Sequence, residues 1–173
     1  MDDLDAFRAD KDAFFKQDPQ SPLTRDQRAT FAHLSYFPKD EPLVLHAGIE
    51  TEGVDREERI VMQTTTGGVQ EYVRAGIVRF DVDGEPAQVT LYASPDSDDL
   101  FLPFRDATSG RETYGAGRYL DVESPGRDGH VVVDFNYAYN PYCAYNPEWS
   151  CPLPPAENWL TVPIRAGEKT FSS

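Results

Sequence analysis

The chain has 173 residues, of which 39% are hydrophobic and 12% aromatic, so it can bury a core, and one domain over residues 1–173 is predicted. Aspartate and glutamate number 30 against 16 lysines and arginines, which gives a net charge of −14. Such a surface repels phosphates, and we therefore predict no nucleic-acid partner.

The acidic residues are spread along the chain rather than gathered in a tail, and two interpretations are open. One is a salt-adapted protein whose carboxylate surface stays soluble when salt screens repulsion. The other is an acidic surface that meets a cationic partner. Lysines number only 4 against 12 arginines and 18 aspartates, and this whole-chain pattern favours salt adaptation.

The N-terminal residues are acidic and lack the basic start and apolar core of a signal peptide. No window of the sequence approaches the 18 apolar residues that a membrane-spanning helix needs. We predict a cytoplasmic protein without a membrane partner. The sequence leaves the oligomeric state open.

Two helices are predicted within residues 1–37. Apolar residues recur near helical spacing over residues 3–17, which predicts an amphipathic helix. Thr24 and Gln27 have the spacing of a capping box, so a second short helix is predicted to begin there and to end near Phe37.

From residue 42 to residue 139 the apolar pattern changes to period two, which is typical of antiparallel strands. Gly67-Gly68 and Asp83-Gly84 are hairpin signals. The predicted strands cover residues 43–49, 58–64, 69–75, 78–82, 87–91, 100–105, 118–123 and 130–139. We predict an α+β, mostly β fold: an antiparallel β barrel or bent sandwich of seven to eight strands, with the two helices packed on one face or end.

Residues 140–173 are predicted to form a long, ordered, irregular segment packed on the sheet. The stretch from Asp134 to Glu168 contains four tyrosines, two tryptophans, four asparagines, six prolines and both cysteines. Proline excludes a plain helix, and the aromatic content excludes a disordered linker. Ordered irregular segments are often functional, so the candidate site is placed here.

Polar side chains alternate with apolar ones along the predicted strand that starts at His130. Asp134, Asn136 and Asn140 share one of its faces, although Asp and Asn are depleted in strands. These side chains could wall a cleft. Alternatively, they bond to the neighbouring irregular segment and hold it in place. The two roles can coexist.

Two arginines are candidate ligand-binding residues. Arg105 and Arg118 are predicted near the same end of adjacent strands, where two guanidiniums could clamp a carboxylate or phosphate. The alternative, favoured by the many acids, is that they pair with carboxylates such as Asp106 inside the protein. Tyr114 lies in the glycine-rich connection before Arg118 and belongs to the same candidate set.

Glu157 and Asn158 follow a polyproline run, Pro152 to Pro155, and could reach the same cleft. Glu157 and Asp134 are the candidate catalytic carboxylates, and Asn158 is a candidate ligand-binding residue. The run itself is expected to dock on the protein's own aromatic side chains, such as Trp149 or Trp159.

Cys143 and Cys151 are separated by seven residues, and four interpretations are open. They are buried thiols, a disulfide, half of a zinc site, or a nucleophile with its partner. The CxxC spacing of zinc sites is missing and the chain has 3 histidines, so no metal site is predicted. No nucleotide, hydrolase or metalloprotease motif is found, and no cofactor is predicted.

Two sequence blocks carry a family resemblance: FLPFRDATSGRETYGAGRYLD at residues 101–121, and the stretch over residues 134–168. They resemble the domain-of-unknown-function 1684 family of bacteria and archaea. The earlier part of the chain is similar only in order and general pattern. The resemblance implies motif positions without an established role for any of them, among them Arg105, Asp106, Tyr114, Arg118, Asp134, Asn136, Asn140, Cys143, Cys151, Glu157 and Asn158.

Three functions are compatible with these patterns. The first is a binding module that holds a small polar ligand, for example an anionic one, in a β-walled cleft. The second is a hydrolase in which Asp134 or Glu157 acts as general base and Arg105 or Arg118 stabilises negative charge. The third is a structural protein without a ligand. Whether the chain is an enzyme stays open at this point.

Overall fold

The computed structural model describes residues 2–95 and 97–172. Helix α1 spans Asp3–Gln17 and helix α2 spans Arg25–Thr30. The Asp2 carboxylate caps α1 by accepting from the Asp5 backbone N–H. Helix α2 begins with the predicted capping box, in which Thr24 and Gln27 each accept from the other's backbone N–H. None of the helices in the described residues is long and apolar enough to cross a membrane.

The described residues form seven strands in two antiparallel sheets. The larger sheet has the order β2-β3-β4-β5-β6, and the smaller one pairs β1 with β7. The strands are β1 Val44–Gly48, β2 Arg59–Gln63, β3 Val69–Val82, β4 Glu85–Ala93, β5 Leu100–Phe104, β6 Arg118–Val122 and β7 His130–Asp134. The mostly β prediction is confirmed, and of its two forms the sandwich is present rather than a closed barrel.

Strand β3 connects the two sheets. Its register with β4 shifts between Arg74 and Gly76, and beyond the shift Ile77 exchanges two backbone hydrogen bonds of 2.8 Å with Glu50. A Cβ on Gly76 would lie 2.5 Å from the Ile49 side chain and 2.8 Å from the Glu50 carbonyl. Glycine is therefore required where the residues that follow β1 cross the bulge in β3.

The main core lies between the sheets, and the C-terminal segment closes it. Val78, Leu91 and Leu102 are fully buried on the large sheet, and Val133 is fully buried on the small one. The same core contains three residues from the irregular segment: Val162, Ile164 and Ala166. A second cluster joins the helices to this segment through Phe15, Leu23, Phe31, Leu34 and Tyr145.

Three predicted elements differ from the structure. The strands expected over residues 69–75 and 78–82 form one strand, β3. The strand expected over residues 130–139 ends at Asp134, and a 3₁₀ turn over Phe135–Tyr137 replaces its second half. Helix α2 ends at Thr30 rather than near Phe37. The chain there pairs with the C-terminal segment, because the Phe37 N–H bonds to the Gly167 carbonyl at 2.9 Å.

Candidate functional site

An open groove lies between the outer face of β3 and β4 and residues 157–161. Its volume is about 310 Å³, which is at the lower end of the range for small-molecule sites. Glu157 is the predicted catalytic residue in its wall. The groove is lined by Arg79, Pro86, Ala87, Gln88, Glu157, Trp159, Leu160 and Thr161.

Trp159 is the large aromatic side chain of the groove, and it is 53% exposed. Its indole N–H donates to the Pro154 carbonyl at 2.9 Å, which fixes the ring on the polyproline run. The Arg105 guanidinium lies 5.0 Å from the ring centroid and stacks on the indole. Predicted ligand residue Arg105 thus adjoins the groove through Trp159.

Asn158 positions this part of the segment and does not face a ligand. It is fully buried, and its amide donates to the Thr90 carbonyl at 2.9 Å and to the Pro103 carbonyl at 2.8 Å. Its side-chain oxygen accepts from the Thr90 N–H at 2.8 Å. Strands β4 and β5 pair only near Tyr92 and Phe101 and then diverge. Asn158 satisfies the backbone groups in that gap.

Glu157 is held by two partners at the edge of the groove. Arg74 Nε donates to its two carboxylate oxygens at 3.1 and 3.2 Å, and the Tyr92 hydroxyl donates to Oε1. The hydrogen bond to Glu157 raises the pKa of Arg74. Burial, followed by the contact with Glu157, raises the pKa of Tyr92, so the phenol stays protonated and remains a donor.

Arg118 lies in the interior rather than at the mouth of a cleft. It is fully buried, and its guanidinium donates to the carbonyls of Ile164 at 2.8 Å and Ala166 at 2.5 Å. It also pairs with Asp106 at 3.4 Å. Burial lowers its pKa, and Asp106 opposes that shift. Arg105 and Arg118 are close along their strands, but their side chains do not converge on one ligand.

Asn136 and Asp134 form a local structural unit. Asp134 Oδ1 accepts from the Asn136 backbone N–H at 3.0 Å and from its amide at 2.9 Å. Asn136 also bonds to both backbone groups of Asp40. These bonds terminate β7 and hold the chain at Asp40, so the two side chains are used internally, but their partner lies before β1 and not in the irregular segment.

Asp134 also borders a separate depression of about 600 Å³ between β6 and β7. The strands there are not hydrogen-bonded to each other. Three carboxylates line this depression: Asp121, Glu123 and Asp134. It is therefore acidic, and it lies apart from the Trp159 groove.

Asn140 belongs to a buried cluster around Glu168. The Glu168 side chain is fully buried and accepts from Lys11 Nζ at 2.9 Å, from the Asn140 amide at 2.9 Å and from the Tyr145 hydroxyl. Burial, and then the Glu168 charge, raise the pKa of Tyr145. This cluster fastens α1 to the C-terminal segment.

Tyr114 faces the two cysteines. Its hydroxyl lies 3.6 Å from Cys143 Sγ, and the Cys143 backbone N–H donates to Cys151 Sγ at 3.3 Å. Both thiols are free and buried. Within residues 2–95 and 97–172, no three His, Cys, Asp or Glu side chains are grouped to hold a metal ion.

The structure therefore divides the predicted site residues into two sets. Glu157 and Arg105 lie at the Trp159 groove. Six others are used in internal contacts: Tyr114, Arg118, Asp134, Asn136, Asn140 and Asn158. Sequence reasoning missed Arg79, which lines the groove, and Arg74 and Tyr92, which hold Glu157 from strands distant in sequence. An outward Arg on a strand resembles any other surface cation, and a buried Tyr resembles any other core residue, so no local signal identified them.

Comparison with other proteins places these features in a family. A family model described as "Protein of unknown function (DUF1684)" matches residues 29–169. A solution NMR structure of an uncharacterized protein from gene locus rrnAC0354 of Haloarcula marismortui is 38% identical, with a TM-score of 0.71. The match covers 96% of this chain and 92% of that chain. Comparison with curated proteins gives no match. The family match spans most of the chain, including all the candidate residues, and the protein belongs to the DUF1684 family.

Proposed function

We propose that the protein binds a small, polar, anionic ligand in the Trp159 groove. The observation that supports this most strongly is the half-exposed indole of Trp159 beside an open groove with two arginines next to it. Aromatic side chains left exposed next to a concavity provide a stacking surface for a flat ring or for the apolar face of a sugar.

The groove supplies fixed polar groups as well as the aromatic surface. Arg79 is held at its edge by Glu50 at 2.7 Å and Gln88 at 2.6 Å, while 62% of its side chain stays exposed. Arg105 is fixed on the indole. A carboxylate or phosphate on a ligand stacked at Trp159 can pair with these guanidiniums.

The acidic depression next to Asp134 is the less suitable place for such a ligand. Its three carboxylates repel an anion. The arginines lie at the other site. For this reason the proposal concerns Glu157, Arg105 and Trp159, and not Asp134.

A thermal-shift screen tests the proposal, using sugar phosphates, nucleoside monophosphates and aromatic carboxylates as probes. A ligand at 100 times its dissociation constant adds roughly 2.7 kcal/mol to the free energy of unfolding. We expect at least one class to raise Tm in a saturable manner. Absence of any shift across the three classes would support the alternative of a structural protein without a ligand.

The two exposed tryptophans provide a matched control. Trp149 is 41% exposed and lies outside the groove. Trp159→Ala should abolish the ligand-induced shift, whereas Trp149→Ala should retain it. Equal loss in both variants would show that binding occurs elsewhere.

A hydrolase is the second candidate, supported by the Glu157 contact with Arg74 and Tyr92 at the groove. In this reaction Glu157 is the general base, and Arg74 stabilises negative charge in the transition state. Hydrolysis of p-nitrophenyl esters and phosphates should fall by about 100-fold or more in Glu157→Gln. If ligands bind without turnover in the wild type, the chain is a binding module.

We further propose a cytoplasmic, salt-adapted protein without a nucleic-acid partner. The net charge of −14 supports this, as does the similar protein from Haloarcula marismortui, a halophilic archaeon. Carboxylates repel one another less when salt screens them. The salt response of Tm tests this proposal.

A further inference from the structure

Cys143 and Cys151 form a contacting pair in an aromatic pocket. The Cys143 backbone N–H donates to Cys151 Sγ at 3.3 Å, which brings the two residues into direct contact. Tyr119, Tyr114 and Tyr139 pack around them. The residues are 9% and 7% exposed. The two cysteines are thus neighbours in one buried cluster, and a reagent must be small to reach them.

The surroundings assign different roles to the two sulfurs. Contact with Cys151 is the main cause that lowers the pKa of Cys143 from 9.0 to about 6, and Tyr114 and Thr65 contribute to that shift. The same contact, together with burial, raises the pKa of Cys151. Of the two sulfurs, Cys143 is therefore the one that ionises more readily.

The loop between the two cysteines is anchored to the turn that joins β2 and β3. Thr65 N–H donates to the Cys151 carbonyl at 3.0 Å, and the Thr65 hydroxyl donates to the Trp149 carbonyl at 3.1 Å. Leu153 N–H continues the attachment at the Gln63 carbonyl, at 2.8 Å. These contacts fix the chain on both sides of Cys151, and the Cys143 N–H meets the sulfur that they hold in place.

We propose that Cys143 and Cys151 are a peroxide-reactive dithiol, with Cys143 as the nucleophile and Cys151 as the resolving thiol. The site takes a small hydroperoxide, such as hydrogen peroxide. It is independent of the Trp159 groove.

The reaction balances in two steps. The Cys143 thiolate attacks one peroxide oxygen, the O–O bond breaks, and hydroxide leaves. The hydroxide takes up a proton from the solvent and becomes water. The sulfenic acid at Cys143 is then attacked by Cys151, which forms the S–S bond as its proton and the sulfenic hydroxyl leave together as water. The dithiol loses two electrons, and the peroxide is reduced to two waters.

Mass spectrometry of the intact, reduced wild type after hydrogen peroxide treatment tests the proposal. We expect a loss of two hydrogen atoms, blocked alkylation of both cysteines in denaturant, and full reversal by dithiothreitol. The oxidised form should also melt a few degrees higher, because the new bond closes the loop. Two thiols that stay fully alkylatable after treatment would overturn the proposal.

Single variants separate the roles of the two sulfurs. In Cys151→Ser, dimedone should label Cys143 as a trapped sulfenic acid. In Cys143→Ser, Cys151 should react with hydrogen peroxide at least roughly tenfold more slowly than Cys143 does in Cys151→Ser. Equal reactivity of the two variants would contradict the assignment of nucleophile and resolving thiol.

Tyr114 is the positioning residue of this pair. Tyr114→Phe removes the hydroxyl that lies 3.6 Å from Cys143 Sγ. The midpoint of the Cys143 alkylation rate against pH should then move upward, while circular dichroism stays unchanged. Trp159→Ala should leave the midpoint where it is, which distinguishes this site from the groove. An unchanged midpoint of the Cys143 alkylation rate in Tyr114→Phe would show that Tyr114 does not position this pair.

Discussion

Arg118 and Asp106 hydrogen-bond to the two backbone groups of Ile164 in the interior of the protein. Arg118 donates to the Ile164 carbonyl at 2.8 Å, and Asp106 Oδ2 accepts from the Ile164 N–H at 2.6 Å. The two side chains lie 3.4 Å apart and are 1% and 0% exposed. The pair therefore satisfies both backbone groups of a residue in the core-closing part of the irregular segment.

Arg118→Met should be strongly destabilising, because it leaves Asp106 buried without its cation and removes the donor to three carbonyls, those of Ile164, Ala166 and Glu168. Breaking a buried pair by removing one partner costs about 3–5 kcal/mol. Denaturant unfolding measures the difference. The exposed Arg127→Met is the matched control and should change stability by about 0.5 kcal/mol or less. Similar losses of unfolding free energy in the two variants would show that the Arg118–Asp106 pair does not stabilise the protein.

Asn158→Leu tests the anchoring of the groove wall. The change removes three hydrogen bonds to Thr90 and Pro103 and leaves their backbone groups unsatisfied. The expected loss of unfolding free energy is about 1–3 kcal/mol for each group left without a partner. Asn146→Ala, which removes only an exposed bond to Glu148, is the comparison and should be much milder. An Asn158 variant as stable as the wild type would contradict the anchoring role.

The reduced protein should gain stability with rising pH relative to Cys143→Ser. The pKa of Cys143 is about 6 when folded, against 9.0 as the ordinary value. Folding therefore releases a proton between these values, and stability rises across that window. The stabilisation from the Cys143 thiolate is present in full above pH 9.0, and it is lost as the pH falls through about 6. Urea unfolding in reductant at pH 5.5, 7 and 8.5 would detect it, and a constant difference between the two proteins would argue against a thiolate.

Tm should rise when potassium chloride is increased from low to molar concentration. The net charge of −14 produces self-repulsion that salt screens. Differential scanning calorimetry at several salt concentrations measures the slope. A Tm that falls, or that does not change, would contradict the proposal of salt adaptation.

Sequence patterns predicted the fold well where local chemistry decides the structure. The capping box at Thr24 begins α2, and Asp83-Gly84 turns the chain between β3 and β4 with positive φ at both positions. These features depend on a few adjacent residues, so they are visible in a single chain.

The failures occur where side chains or distant segments compete with the local pattern. Asp134 caps the turn that follows it, and this side-chain bond ends β7 although the alternating pattern continues to Tyr139. Phe37 leaves the predicted helix because it pairs with Gly167. Such a tertiary contact cannot be read from periodicity.

For the same reason, sequence reasoning identified only some of the residues of the candidate site. Glu157 and Arg105 were identified by their places in unusual sequence blocks. Arg74 and Arg79 come from one strand and approach Glu157 and Trp159 only after folding. The asparagines stood out because they are rare in strands, but their use as internal anchors depends on where the irregular segment lies.

The binding role of the Trp159 groove is tested most directly by NMR titration of the two indole N–H signals with the ligand class that raises Tm. A saturable shift of the Trp159 signal, with the Trp149 signal unchanged, is the predicted result. A shift confined to Trp149, or no shift of either signal while Tm rises, would contradict the groove as the binding site.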